Sequence, residues 1–240
     1  MTLDPFLRHL EDLCRSQPTR AKWVFVPAHA VGLTLGTRLA RDSRGWANLR
    51  FVTPLDVATR MAAPFLLDRG LDPSEERLGP ALVMRLLLAL PEGNGYFRAM
   101  AEHTSMAEAL WRAIRELRYA GLRAADLALT PFTGIAAKQG ELAQLLAAYE
   151  RHLDSAGVAD MPLVFEEAAR HPEWSPVAPT DVVVHLPGIP WAPVVERFLA
   201  CLPGERVTPV NGGRWLQGSE AEIDIFHSGG RDAEMEEVFR

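Results

Sequence analysis

The pattern of hydrophobic and polar residues divides this chain into three parts. In the first part, apolar residues at helical spacing predict a helix over 3–15, and two short apolar runs predict strands at 23–27 and 49–53. A helix is predicted after each strand, over 32–41 and from residue 54 through Met61. This strand–helix–strand–helix order is typical of an open α/β sheet.

The second part, residues 74–170, has helical patterns and almost no run typical of a strand. The clearest helix is predicted over 105–121, where Ser105 and Glu108 match a capping box. Gly121 suits the position directly after a helix, because glycine adopts the left-handed conformation without steric penalty. A second helix is predicted over 141–153. This part therefore indicates a helical insertion.

The strand pattern returns in the third part, after a proline-rich link. The run 181–186 (DVVVHL) is almost continuously apolar, which is typical of a parallel strand buried on both faces. A helix is predicted over 194–202, and strands are predicted at 206–210 and 222–226. The chain stops inside a helical pattern at 232–239, which we interpret as the sign of a fragment of a longer protein.

The stretch after the first strand raises the question of nucleotide binding. A working phosphate-binding loop has the pattern G-x-x-x-x-G-K-[ST], in which the lysine reaches the terminal phosphates. Here Gly32 and Thr34 fit the pattern, whereas Pro27 replaces the first glycine and Leu33 replaces the lysine. The alternative interpretation is a simple strand–turn–helix unit in which Gly32 allows tight packing.

A nucleotide hydrolase of this kind also needs an acidic residue at the end of a buried strand to hold Mg²⁺. No Asp or Glu occurs over 182–195, and Asp181 stands at the wrong end of the strand. Two catalytic elements are thus missing, which favours an inactive site with no catalytic residue and no cofactor in this segment. The rival hypothesis is a divergent ATPase in which Arg38 or Arg231 supplies the missing positive charge.

Composition narrows the function only slightly. The 240 residues carry a net charge of −6, and nearly all of the positive charge is arginine, so bulk charge gives no sign of DNA binding. The seven histidines and two cysteines have no metal-ligand spacing, and we expect no metal site. The isolated cysteines and the lack of a signal peptide indicate a cytoplasmic protein. No apolar run is long enough to cross a membrane.

The order of these segments resembles the N-terminal, inactivated helicase-like region of AddB-type proteins. Those proteins are relatives of UvrD-like superfamily-one helicases and carry a PD-(D/E)XK nuclease downstream. The similar stretches, in chain order, are VPAHAVGLTLGTRLA, LRFVTPLDVATRMA, ALWRAIRELRYAGLRAADL, the segment with Tyr149, Leu153, Asp160 and Leu163, DVVVHLPGIPWAPVVERFL, and IDIFHSGGRDAEMEEVFR.

The resemblance implies a RecA-like (P-loop NTPase-like) parallel sheet core interrupted by a helical insertion domain. The two parts of the core are expected at residues 1–72 and 178–220, on either side of an all-helical subdomain at 73–171. A truncated start of a second motor-like domain is expected at 221–240. In this frame Pro27, Gly32, Leu33 and Thr34 form a degenerate nucleotide loop.

The same resemblance implies a non-catalytic domain of a double-strand break repair helicase-nuclease, which binds or channels DNA. The expected partners are DNA and either an AddA-like helicase-nuclease subunit or the protein's own C-terminal nuclease domain, with no membrane partner. A pure protein–protein interaction module is the remaining alternative, and salt-insensitive or absent DNA binding would indicate it.

Four residues are candidates for contact with nucleic acid. Thr53 matches the position at which active helicases place a DNA-contacting threonine, although it can equally end its strand. Arg112, Arg115 and Arg118 lie off the apolar stripe of the predicted helix and can follow a phosphate path. The alternative for the three arginines is a solvated face that forms helical ion pairs with the neighbouring glutamates.

Overall fold

A four-stranded, all-parallel sheet forms the centre of the chain, in the strand order β2-β1-β3-β4. The computed structural model describes residues 5–42, 46–73, 78–91, 95–101, 103–129 and 133–207. The strands are β1 (Lys22–Phe25), β2 (Leu49–Val52), β3 (Val182–His185) and β4 (Glu205–Val207). The parallel sheet confirms the predicted α/β class. The strand expected at 222–226 and the helix expected at 232–239 lie outside the described residues.

Helices cover both faces of the sheet. One face packs on α1 (Pro5–Ser16) and α2 (His29–Asp42), and the other packs on α3 (Pro54–Asp68), α8 (Met161–Arg170) and α9 (Pro193–Cys201). The strand side chains alternate accordingly, with Val24 on the first face and Trp23 and Phe25 on the second. Each large apolar side chain that is fully buried in this way contributes about 1.5–3 kcal/mol.

A second hydrophobic core forms among the helices between β2 and β3. It is built from α4 (Pro80–Ala89), α5 (Thr104–Ala120), α6 (Ala124–Leu129) and α7 (Ala136–Ala156). Among the described residues, no strand of the sheet comes from this part of the chain. None of the described helices is both long and apolar enough to cross a bilayer.

Several helix boundaries differ from the sequence-based expectation, and two of them have a clear physical reason. The helix α3 continues past the predicted end at Met61 and includes Pro64 inside it, because Leu66 is buried in the core on the next turn. The capping box predicted from Ser105 and Glu108 is wrong, since α5 already begins at Thr104 and Ser105 lies in its first turn. Gly121 does end α5 in the left-handed conformation, with φ of 81°.

Asp160 connects the helical core to the helices that pack on the sheet. Its carboxylate accepts two hydrogen bonds from Arg118 of α5, at 3.0 and 3.1 Å, and one from the backbone N–H of Leu163 at the start of α8. The hydroxyl of Tyr149 in α7 lies 3.4 Å from the same carboxylate. Arg118 and Asp160 are each only 2% exposed. One buried carboxylate therefore holds three helices in register.

Burial and ion pairing act in opposite directions on this arginine. Burial alone lowers the pKa of Arg118, but the hydrogen bonds and charge of Asp160, with smaller contributions from Glu166 and Glu150, raise the pKa above its ordinary value. Arg118 is therefore charged in the folded protein, and removing its partner leaves an uncompensated buried charge.

Asp160→Asn tests this connection. Asparagine keeps an oxygen that can cap α8 but loses the charge that compensates Arg118, so we expect the free energy of unfolding to fall by about 3–5 kcal/mol. Asp12→Asn is the control, because Asp12 is exposed and pairs with Arg15 only at 3.5 Å, and we expect a change of about 0–1 kcal/mol. Urea unfolding measures both. Equal effects of the two substitutions would contradict the role of Asp160.

Candidate functional site

The candidate site lies at the edge of the sheet where the strands end. The strands β1, β2 and β3 finish at the same level, because Phe25 pairs with both Val52 and His185. The chain runs from β1 outward to β2 and later returns on the other side of β1, so the topological switch point lies between β1 and β3. In open α/β sheets, ligands bind outside the carboxyl ends of the strands at this point.

The connection between β1 and α2 is too short for a phosphate-binding loop. Only the three residues 26–28 separate the strand from the helix, and α2 begins at His29, before the expected start at residue 32. Gly32, Leu33 and Thr34 therefore lie in the helix, and of the predicted loop residues only Pro27 stands in the connection itself. A working loop needs a run of backbone N–H groups that point at the phosphate, and helical hydrogen bonding removes them from Gly32 onward.

Leu33, Thr34 and Gly32 do not have the surroundings that the matching residues of a phosphate-binding loop would have. Leu33, at the lysine position, is 74% exposed. The hydroxyl of Thr34 donates a 2.8 Å hydrogen bond back to the carbonyl oxygen of Ala30. At Gly32, an added Cβ would stand 2.7 Å from the Cβ of Phe51 in β2. Gly32 is thus a close-packing position between α2 and the sheet.

Thr53 caps the helix that follows β2. Its hydroxyl donates to the carboxylate of Asp56 at 2.8 Å, and the backbone N–H of Asp56 donates to the Thr53 hydroxyl at 3.2 Å. The same carboxylate accepts the backbone N–H of Thr53, which completes a capping box. Sequence reasoning missed this role, although the spacing Thr-x-x-Asp immediately before an apolar run is the signal for it.

The carboxylate of Asp56 also reaches the connection after β1. The Nε2 atom of His29, the first residue of α2, lies 3.3 Å from its second oxygen. Thr53, Asp56 and His29 thus form one polar group on the β1–β2 side of the edge. A carboxylate at this place repels phosphate, and it already occupies the N-terminus of α3, where an anion would otherwise bind.

His185 ends β3 at the position where a hydrolase would need its Mg²⁺-binding carboxylate. Its ring stacks on Phe25, with ring centroids 5.8 Å apart. Burial, and then the charge of Arg206 in β4, lower the pKa of His185 below its ordinary value. A pocket of about 370 Å³ opens beside it and is lined by His185, Leu186, Ile189, Trp191, Glu196, Leu199, Ala200 and Arg206.

Asp181 lies at the opposite end of β3 and has a structural role. Its carboxylate accepts a 2.9 Å hydrogen bond from the indole N–H of Trp23 and another from the backbone N–H of Ala178. Asp181 therefore connects the start of β3 to β1, at the end of the sheet opposite the carboxyl edge. Among the described residues, no group of three or more His, Cys, Asp or Glu side chains is arranged to hold a metal ion.

The three candidate arginines of α5 do not share one environment. Arg112 is exposed and lies 3.7 Å from Glu108 one turn earlier. Arg115 is exposed and lies over the rings of Trp111 and Tyr119, at 5.8 and 5.9 Å from their centroids. The expectation that Arg118 belongs to the same solvated face is wrong, because it is buried against Asp160.

The burial of Arg118 has a signal in the sequence. Arg118 continues the row of Leu110 and Ile114 at spacings of four residues, and both of those side chains are buried. The helical period therefore suggests that Arg118 lies on the inner face.

Comparison with known proteins does not assign this chain to a family. No model of a known protein family matches it, and a search of curated proteins finds no similar sequence.

Gly32→Ala tests the packing role of the glycine in α2. Alanine would favour the helix by up to about 1 kcal/mol, but the contact with Phe51 forces a shift, so we expect a net destabilisation of about 1–3 kcal/mol. Gly140→Ala in α7 is the matched control, because an added Cβ there meets nothing within 4 Å. We expect that change to stabilise the protein in the same denaturation experiment. Stabilisation by both substitutions would contradict the close approach.

His185 also predicts a pH dependence of stability. Because its pKa is lower in the folded protein, the unfolded chain binds more protons as the pH falls below about 6.5, and the free energy of unfolding decreases there by up to about 1.4 kcal/mol per pH unit. Urea titrations at several pH values above and below about 6.5 measure how steeply the free energy of unfolding changes with pH.

His185→Gln should flatten that slope, and it should lower stability at neutral pH because the stacking on Phe25 is removed. His152 contributes to the slope in the same direction, since burial and the charge of Arg85 lower its pKa, so His152→Gln serves as a comparison and the double variant should be flatter still. A slope unchanged by His185→Gln would show that this imidazole is not the group that titrates.

Proposed function

We propose that this chain is the non-catalytic, helicase-like part of a double-strand break repair protein, which contacts DNA and does not hydrolyse nucleotide. The observation that carries the proposal is the start of α2 at His29, only three residues after the end of β1. A parallel sheet with the switch point of a nucleotide-binding fold is retained, while the loop that wraps phosphate is replaced by helix.

Three further features support an inactive edge. The lysine position is occupied by Leu33, and the threonine hydroxyl is bonded within its own helix. The central strand β3 ends in His185, with no carboxylate over 182–195. The carboxylate that does reach the edge, Asp56, is held by Thr53 and His29. In this proposal the sheet is a RecA-like core, and residues Pro27 to Thr34 are the remnant of its nucleotide loop.

The exposed side of α5 is the proposed surface for DNA. Arg115 lies between Trp111 and Tyr119 along the helix, so a cation stands among partly exposed aromatic rings. Arg112 adds a second exposed guanidinium one turn away, and its ion pair with Glu108 is long, at 3.7 Å. Aromatic rings stack on unpaired bases and guanidinium groups bind phosphates, which is the combination found on surfaces that bind single strands.

The cellular setting follows from the same proposal. By its resemblance to AddB-type proteins, the chain would work in the cytoplasm as a scaffold for a nuclease. That nuclease would be an AddA-like helicase-nuclease subunit or a C-terminal domain of its own protein. The predicted domain limits at 1–72, 73–171, 178–220 and 221–240 belong to this proposal.

DNA titrations at several salt concentrations test the binding surface. We expect single-stranded DNA to bind with an affinity that falls with salt, and the double variant Arg112→Gln, Arg115→Gln to bind more weakly. For each phosphate that the double variant no longer neutralises, the slope of log K against log salt should become shallower by about 0.7–0.9. Arg15→Gln in α1, on the other face of the sheet from α9, is the control and should change neither quantity. Salt-insensitive or absent binding would favour a protein–protein module instead.

A nucleotide assay tests independently whether the chain binds and hydrolyses Mg²⁺–ATP. We expect millimolar Mg²⁺–ATP to leave the thermal unfolding temperature unchanged and to be hydrolysed no faster than in buffer, because neither the loop nor the metal-binding carboxylate is present. Thr34→Ala should have no effect on either measurement. Magnesium-dependent hydrolysis that disappears in Thr34→Ala would overturn the proposal and favour the divergent ATPase.

A further inference from the structure

A polar pocket lies among the helices, away from the carboxyl edge of the sheet. It has a volume of about 340 Å³ and is lined by residues of α5, α7 and α8, by Arg69 directly after α3, and by Arg123 between α5 and α6. Its lining is dominated by arginine and consists of Arg69, Arg118, Arg123, Glu150, Leu153, Asp154, Leu163 and Arg170.

The deepest polar group of the pocket has unused hydrogen-bonding capacity. Two nitrogens of Arg118, Nε and Nη2, donate to Asp160, but Nη1 is buried and has no hydrogen-bond partner among the described residues. The closest carboxylate oxygen on that side belongs to Glu150, another lining residue, at 3.9 Å. A buried charged donor without an acceptor is unfavourable, so this atom marks a position where a ligand acceptor or water belongs.

The outer arginines have donors available as well. Arg69 and Arg170 both bind the same oxygen of Glu167, at 2.9 and 2.8 Å, and Arg123 binds Glu166 at 2.7 Å. Each guanidinium carries five N–H donors, and these ion pairs use one nitrogen of each outer arginine. The side chains of the three outer arginines are about half exposed, at 47–56%. They can therefore reorient toward a ligand without leaving the pocket wall.

The negative charges around the pocket restrict the kind of ligand. Glu150 and Asp154 line it together with the four arginines, and Asp160, Glu166 and Glu167 stand behind those arginines as their partners. The four arginines and five carboxylates named here have a net charge of −1, so net charge does not attract an anion. The excess lies in hydrogen-bond donors, which suits a group with several acceptor oxygens.

We infer that this pocket binds a phosphate group, with Arg118 Nη1 at its floor and Arg69, Arg123 and Arg170 at its rim. Planar guanidinium groups match the geometry of phosphate oxygens, and several arginines around one cavity are the usual arrangement for phosphate recognition. The phosphate can come from a small molecule or from the backbone of a nucleic acid strand. The inference does not depend on the proposed function, because it uses none of the residues of the sheet edge or of the exposed α5 surface.

Calorimetric titration of the full chain with inorganic phosphate and with pyrophosphate, at constant ionic strength, tests the pocket. We expect saturable binding that is weakened at least tenfold by Arg170→Gln and by Arg123→Gln. Both variants should fold, because Arg170→Gln leaves Glu167 with Arg69 and His171, and Arg123 is exposed. Arg15→Gln in α1 is the control for a general decrease in positive charge and should leave the affinity unchanged.

A competition experiment distinguishes the two sources of phosphate. If the pocket takes a nucleic acid backbone, single-stranded oligonucleotide displaces pyrophosphate, and Arg170→Gln weakens both ligands. If it takes a small molecule, pyrophosphate binds and the oligonucleotide does not displace it. The inference is overturned if neither phosphate nor pyrophosphate binds, or if Arg15→Gln weakens them as much as the pocket variants do. A DNA-binding defect confined to the Arg112 and Arg115 variants bears on the proposed function and leaves the pocket unaffected.

Discussion

The buried carboxylate of Asp160 is the interaction on which the arrangement of this protein depends. Parallel strands need long connections, and the one between β2 and β3 runs through the whole helical core before it returns to the sheet. Asp160 stands at the return, where it binds Arg118 and begins α8. Neither hydrophobic core alone fixes the angle between the helices and the sheet, because apolar contacts are not directional. The bidentate ion pair supplies that direction, and its burial makes any other arrangement of the two groups unfavourable.

Parallel strand pairing shapes the edge of the sheet in a similar way. Pairing in register brings the ends of β1, β2 and β3 to one level, so the residues after each strand are neighbours whatever their identity. In this chain they are an early helix after β1, a capped helix after β2, and a stacked histidine after β3. A parallel α/β sheet can therefore form without nucleotide-binding groups at this edge, since the sheet depends on strand pairing and burial and not on any group that would touch a nucleotide.

The sequence predicts the elements of the fold better than it predicts their ends or the site. Strands such as 181–186 are recognisable because burial on both faces demands a continuous apolar run. Gly121 is recognisable because few other residues adopt its backbone conformation. The close packing of Gly32 against Phe51 is not recognisable, because Phe51 belongs to another strand that the local sequence does not bring near. The burial of Arg118 depends in turn on a partner 42 residues away, and helical spacing alone only suggests it.

Free hydrogen-bond donors, and not the number of carboxylates, are the reason that the inferred phosphate site lies among the helices rather than at the sheet edge. Phosphate sites at sheet edges rely on free N–H groups at a helix N-terminus. At α3 these groups are occupied by Thr53 and Asp56, and the Asp56 carboxylate adds a negative charge that also faces His29 at the start of α2. Among the helices the situation is reversed, because Arg118 has a buried donor without an acceptor among the described residues and three further arginines surround it. A phosphate at the sheet edge would have to displace the Asp56 carboxylate. A phosphate among the helices would instead accept a hydrogen bond from the Arg118 nitrogen that has no acceptor.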